Sequence, residues 1–248
     1  MVQQWLHAET DFNLMREDNM TASQAAETKC DQEIVRILLQ AGADPNRVGG
    51  DYGTALAAAA ARKDQQMVLL LLLAGADPNI SGGCYGTALQ AAAAEKDQEI
   101  VQLLLQAGAD PNRVGGDYGT ALQAAAAKKD QEIVQLLLQG GADPNIIGGP
   151  YGTALQAAGA QKDQVIVQLL LQAGADPNKV GGYYGTALQA AIDARDQEMI
   201  ELLLWADADP NVLYGWSGAA FKADQQLLQL LLQAYEDTVG SSTDIKVD

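Results

Sequence analysis

Tyr118-Gly119-Thr120-Ala121-Leu122-Gln123 opens a stretch of 33 residues that closes on Gly141-Ala142-Asp143-Pro144-Asn145 and runs out at Pro150. The same Tyr-Gly-Thr-Ala-Leu opening starts at Tyr52, Tyr85, Tyr151 and Tyr184, so that with Tyr118 the five openings follow one another at intervals of 33 residues. A fixed period of this length means one supersecondary unit stacked on copies of itself, with a core that grows by addition.

The unit reads as helix, turn, helix, finger. Thr120 followed three residues later by Gln123 is a capping box, repeated as Thr87/Gln90, Thr153/Gln156 and Thr186/Gln189. Its Thr hydroxyl accepts from the third helical amide while the Gln reaches back to the cap's own N–H. At Ala57 the Gln is missing, so that box is incomplete. The predicted first helix runs from Ala121 to about Lys128 and is nearly all Ala, the strongest helix former and small enough for close approach. Asp130 is a predicted N-cap for a second helix, Gln131 to Gln139, with Glu132 favourably placed at its positive end. Ile133, Val134, Leu136, Leu137 and Leu138 make an apolar arc wider than one stripe, as a helix between two neighbours requires. Gly141 takes the left-handed position that ends the helix, and Pro144 prevents continuation. Asn145 and Gly148-Gly149 are turn formers, so residues 143–150 are predicted to form a protruding hairpin.

These residues resemble the ankyrin repeat. The Thr-Ala-Leu-Gln start, the Ile-Val-x-Leu-Leu-Leu second helix and the Gly-Ala-Asp-Pro-Asn close carry the likeness. The usual family wording is Thr-Pro-Leu-His, then Gly-His between the helices. Here Ala and Gln replace Pro and His, Lys129-Asp130 replaces Gly-His, and Tyr118 stands where a Gly is common. The departures look like the Tyr-Gly-Thr-Ala-Leu-Gln subtype of fungal ankyrin proteins, often appended to NLR-type signalling NTPases. The resemblance implies an all-α repeat solenoid, curved, with a concave face lined by fingers and inner helices that binds a protein partner.

The register assigns repeats to 52–84, 85–117, 118–150, 151–183 and 184–216. Asp31 to Val35 aligns with Asp130 to Val134, so Thr21 and Gln24 fall on box positions of a degenerate repeat at 19–51. Residues 1–18 read as an N-terminal half unit, either a natural cap or the edge of a longer array. At the other end 217–237 is a truncated capping repeat that lacks a finger, and 238–248 is a polar, flexible tail. Asp207 replaces the helix-closing glycine, which predicts an altered turn there.

The formal net charge of −17 disfavours nucleic acid and anionic membranes as partners. It favours solubility, and a partner carrying basic residues is the charge-complementary case. Cys30 and Cys84 sit at different places in their units, so no disulfide is expected and a reducing, intracellular compartment is implied, cytoplasmic or nuclear. No secretory leader or membrane-length apolar run is read from the chain. Catalysis finds little material. His7 is the sole histidine, which argues against His triads and His-based metal sites. The Gly-Gly pairs lie in finger turns, unlike a phosphate loop between strand and helix. Asp64, Asp97, Asp130, Asp163 and Asp196 start helices, as caps do. No cofactor or metal is expected.

Positions that differ between units hold the information. After each Asp-Pro-Asn the residue runs Arg47, Ile80, Arg113, Ile146, Lys179, Val212, alternating basic and aliphatic. Duplication of a two-unit block explains this, and so does a ladder of cationic anchors about 20 Å apart for units stacked roughly 10 Å apart. A second variable site reads Asp51, Cys84, Asp117, Pro150, Tyr183. The end of the first helix reads Arg62, Glu95, Lys128, Gln161, Ala194. By resemblance these lines face the partner, and the predicted contact set is Arg47, Asp51, Arg62, Ile80, Glu95, Arg113, Asp117, Lys128, Ile146, Gln161, Lys179 and Tyr183. Tyr214 and Trp216 are further candidate aromatic anchors, although Trp205 and Trp216 also suit sealing the end of the stack. The repeated tyrosines are read as finger packing. The leading function is a non-catalytic, monomeric protein-interaction scaffold. The alternatives are an enzyme or small-ligand binder in the groove between fingers and first helices, and a spacer or sensor array of a larger NLR-like protein.

Overall fold

A computed structural model describes residues 32–212. His7, Cys30, Thr21, Gln24, Tyr214, Trp216, the half unit at 1–18, the capping repeat at 217–237 and the tail at 238–248 lie outside the described residues.

The described residues form eleven helices and no sheet. The alanine helices are α2 (Ala55–Ala61), α4 (Ala88–Glu95), α6 (Ala121–Ala127), α8 (Ala154–Gln161) and α10 (Ala187–Asp193). The leucine helices are α1 (Gln32–Gln40), α3 (Gln65–Leu73), α5 (Gln98–Gln106), α7 (Gln131–Gln139), α9 (Gln164–Gln172) and α11 (Gln197–Trp205). Each alanine helix packs on the leucine helix that follows it and on the alanine helices of adjacent units. Neighbouring alanine helices pack more extensively than neighbouring leucine helices. The fold is an all-α repeat solenoid.

Side-chain size accounts for this arrangement. Ala124, Ala125 and Ala126 are fully buried, so a helix with almost no side-chain bulk is enclosed on nearly all sides. The leucine helices bury one face through Ile133, Val134 and Leu137 and leave Glu132 and Gln135 exposed. Fully burying such a side chain contributes about 1.5–3 kcal/mol. The resulting core is continuous from Val35 to Ala208.

The helix starts follow the caps expected. Asp64, Asp97, Asp130, Asp163 and Asp196 each accept from the amide three residues on. Complete capping boxes form at Thr87/Gln90, Thr120/Gln123 and Thr153/Gln156. Thr54 caps alone, because Ala57 has nothing to return. The predicted box at Thr186/Gln189 forms only by half. Gln189 turns instead to Asp193 Oδ1 at 2.9 Å, an acceptor one helical turn away that the other units lack.

Polar side chains stitch each unit to the next. Asn112 Nδ2 donates to the Gly141 carbonyl at 3.1 Å, and its Oδ1 accepts from the Asp143 amide at 2.8 Å. Asn46, Asn79, Asn145 and Asn178 repeat this clamp. On the leucine helices, Gln98 and Gln164 donate to Glu132 and Glu198 of the following unit. Where that place holds Gln66 or Val165 no carboxylate is offered. Gln32 and Gln131 then donate to the capping carboxylates of Asp64 and Asp163.

The fingers are longer than residues 143–150 imply. The Gly148 amide donates to the Gly152 carbonyl at 2.7 Å, so the turn closes inside the next unit's signature. The same bridge joins Gly49 to Gly53, Gly82 to Gly86, Gly115 to Gly119 and Gly181 to Gly185, giving five fingers. Gly116 must be glycine: its φ is 61° and a Cβ would lie 2.2 Å from the Tyr85 carbonyl carbon of the preceding finger.

The turn at Asp207 is not altered. It keeps a φ of 62°, and Ala208 still donates to the Leu203 carbonyl at 3.0 Å. At the equivalent Gly141 a Cβ would meet nothing within 4 Å, so only the left-handed backbone opposes a side chain there. Asp bears that conformation better than most residues. Lys63, Lys96, Lys129, Lys162 and Arg195 also take φ between 53° and 60°, at the turn between the two helices of a unit. Their positive charge lies beside the negative end of an alanine helix, which offsets part of the strain.

Two stability changes follow. Asp207→Gly relieves the left-handed strain and raises stability by about 1 kcal/mol. Asn112→Ala removes two inter-unit hydrogen bonds and lowers it by about 1–3 kcal/mol. Urea denaturation followed by circular dichroism measures both, and a shift of opposite sign in either variant contradicts the assignment.

Candidate functional site

The finger row and the adjoining ends of the alanine helices hold most of the residues that vary. Their backbone is fixed by residues that do not. Gln123, having closed its capping box, donates through Nε2 to the Ile146 carbonyl at 2.8 Å and the Gly152 carbonyl at 2.7 Å in the next finger. Gln90 reaches the Arg113 and Gly115 carbonyls, and Gln156 reaches those of Lys179 and Gly181. Further bonds run from Gln90 to Gly119 and from Gln156 to Gly185. The clamp grips the main chain of Arg113, Ile146 and Lys179, so their side chains change from unit to unit without loss of the anchor.

The basic and aliphatic finger residues do not stand alike. Arg47 and Arg113 are exposed, while Ile80, Ile146 and Lys179 are half-buried. The Arg113 guanidinium donates to the Asn79 carbonyl of the preceding finger at 3.1 Å, so it is partly spent within the array. Asp51, Asp117 and Tyr183 are exposed at the finger turns, with Tyr183 at 77 % of its full accessibility.

The alanine-helix ends meet the tyrosine row. The Tyr85 hydroxyl donates to Glu95 Oε1 at 2.8 Å. Burial pushes the Tyr85 phenol pKa up, and the bond to Glu95 adds to the rise, so it stays protonated at neutral pH. Lys128 Nζ lies 5.4 Å from the centroid of the Tyr118 ring, within cation–π range. The Tyr118 side chain is the first cause holding that ammonium above its ordinary pKa, and burial opposes it. Tyr52 stacks on Tyr85 with centroids 6.0 Å apart, and Tyr151 on Tyr184 at 6.4 Å. All five tyrosines are half-buried, exposing part of each ring.

The structure therefore brings Glu95 and Lys128 together with the tyrosines. It also gathers Asp117 and Tyr183 along an open groove of about 1060 Å³, whose other lining residues are Gly116, Gly149, Pro150 and Gly182. Arg62 is exposed and Gln161 half-buried, at the ends of their own alanine helices. The repeated tyrosines do pack, Tyr85, Tyr118 and Tyr151 against the core, as the sequence reading has it; what that reading missed is that part of each residue also forms surface. The signal was present: a ring ten residues before a variable helix end lies alongside it once the helix is drawn. Trp205 is 68 % exposed at the end of α11.

Among the described residues no group of three or more His, Cys, Asp or Glu could hold a metal ion, and no helix is long and apolar enough to cross a membrane. Cys84 is an exposed free thiol.

No curated protein matched the chain. The family model for ankyrin repeats, in three copies, matches residues 1–82, 80–148 and 122–213. That covers most of the chain and agrees with the helix pairs, caps and fingers described above. Repeats of this kind are generally protein-interaction modules and typically non-catalytic. The chain belongs to the ankyrin-repeat family.

Proposed function

We propose that this chain is a non-catalytic scaffold that binds a protein partner across its fingers and alanine-helix ends. The observation that carries the reading is the row of five half-exposed tyrosines, interleaved with the variable residues Glu95 and Lys128. Tyrosine offers a large, rigid, amphipathic surface and is enriched where proteins meet. Flanking charges that differ between units supply specificity, because a wrong partner leaves a charge unpaired. The partner face is the inner side of the curve, since helices made of alanine shorten that side of the stack. Support also comes from the Gln90, Gln123 and Gln156 clamps, which hold the finger backbone rigid and lower the ordering cost of binding.

The groove along the finger turns is open, unlike the enclosed pockets that bury most of a small ligand, which favours a protein partner over a metabolite. The exposed Cys84 thiol suits a reducing, intracellular setting. The repeats are assigned in register with the five signatures, and the array acts as a monomer.

The test is affinity purification with quantitative mass spectrometry on three forms of the chain. Lys128→Glu reverses a charge beside Tyr118 and is expected to lower recovery of the specific partner at least about tenfold, a loss of roughly 1.4 kcal/mol or more. Gln135→Lys, on the exposed face of α7, keeps full recovery. Thermal melts of both variants stay within the range of ordinary surface changes, about 0.5 kcal/mol. Equal recovery with Lys128→Glu and wild type defeats the proposed face.

A further inference from the structure

Neighbouring fingers are tied by a backbone ladder. The Cys84 amide donates to the Asp51 carbonyl at 2.9 Å, and the Asp117 amide to the Cys84 carbonyl at 2.7 Å. The Tyr183 amide donates to the Pro150 carbonyl at 2.8 Å. One rung is absent. Position 150 is proline, which has no N–H, so the fourth finger sends nothing to the Asp117 carbonyl of the third. Among the described residues no hydrogen-bond donor reaches that oxygen. The ladder is thus split between Asp117 and Pro150. The recorded tyrosine stacks fall on either side of the same place, Tyr52 with Tyr85 and Tyr151 with Tyr184.

The open groove lies over this break. It is lined by Gly116 and Asp117 of the third finger, Gly149 and Pro150 of the fourth, and Gly182 and Tyr183 of the fifth. It therefore holds an unpaired carbonyl, an exposed carboxylate and a largely exposed aromatic ring, with glycines that keep the floor low.

We infer that this groove is a docking site for an arginine side chain of the protein partner. A guanidinium presents several N–H donors in a planar fork. It can donate to the Asp117 carboxylate and to the Asp117 carbonyl that Pro150 leaves unserved, while its flat face covers the Tyr183 ring. Lysine carries a point charge without the flat face, and a neutral amide lacks the charge. The protein's own cation on the third finger, Arg113, is turned to the Asn79 carbonyl of the second. The net charge of −17 draws a cationic group toward the array. This rests on the reading that the fingers face a partner, and it adds the chemistry that one part of that face selects.

The experiment is an amide-resolved NMR titration of the full chain with the blocked tripeptide acetyl-Gly-Arg-Gly-amide. The control is the same peptide with citrulline, which keeps shape and loses charge. Shifts are expected to concentrate at Gly116, Asp117, Gly149, Gly182 and Tyr183 with the arginine peptide, and to be slight with citrulline. Asp117→Asn weakens the arginine peptide about tenfold, the loss of one charge-assisted contact. Pro150→Ala restores an amide N–H, closes the ladder onto the Asp117 carbonyl and weakens the peptide several-fold without touching the carboxylate. Circular dichroism confirms that both variants keep the native helix content. Shifts spread over acidic residues throughout the array, equal binding of the citrulline peptide, or full binding by Pro150→Ala overturns the site. Partner recovery that ignores Lys128→Glu would sink the wider scaffold reading and leave this titration unaffected.

Discussion

The side-chain amide of Gln123 joins three levels of the structure at once. Its oxygen accepts from the Thr120 amide and completes the start of an alanine helix. Its nitrogen donates to two carbonyls of the next finger. Helix start, finger shape and stacking of units are therefore decided by one group. The group is buried, so leaving any of these bonds unmade costs more than the bond itself contributes. That explains a Gln where repeats of this family usually carry His, and the changed arrangement at both exceptions. Ala57 offers no clamp, and Gln189 is drawn away by Asp193.

Alanine makes this reach possible. With alanine at most positions of α4, α6 and α8, adjacent helices approach closely enough for a Gln on one unit to touch the finger of the next. A bulkier helix would hold them apart. The leucine side carries the greater apolar volume but fewer inter-unit contacts, and there the Gln-to-carboxylate bonds supply the link. Each is exposed and worth little alone. Their value lies in fixing the register of one unit on another.

Much of the fold was legible because local rules decide it. The second helix of the quoted unit begins at Gln131 and ends at Gln139, where Asp130 and Gly141 said it should. The first stops one residue early, with Lys128 as its cap. What was not legible depends on space between units. No local rule says that a Cβ at Gly141, the equivalent of Asp207, would meet nothing within 4 Å, so Asp207 looked like a position where the turn must change. Nor does the Tyr-Gly pair announce itself as the return limb of the preceding finger. It reads as a helix preface until the Gly148–Gly152 bridge is seen. The candidate site was half legible for the same reason. Glu95 and Lys128 stood out by variation, whereas their tyrosine neighbours were hidden by repetition.

The asparagine clamp has a consequence for the length of the molecule. Asn112 reaches forward 29 and 31 residues, and so do its counterparts in the other units. Every such contact joins only adjacent copies and uses the same atoms each time. A whole 33-residue copy removed or inserted in phase brings equivalent partners face to face, and each clamp closes again on a new neighbour. A gap of any other size breaks all the bonds at one joint together. The array can therefore lengthen or shorten by whole copies at little energetic cost, and the length of its finger row changes in steps of one unit.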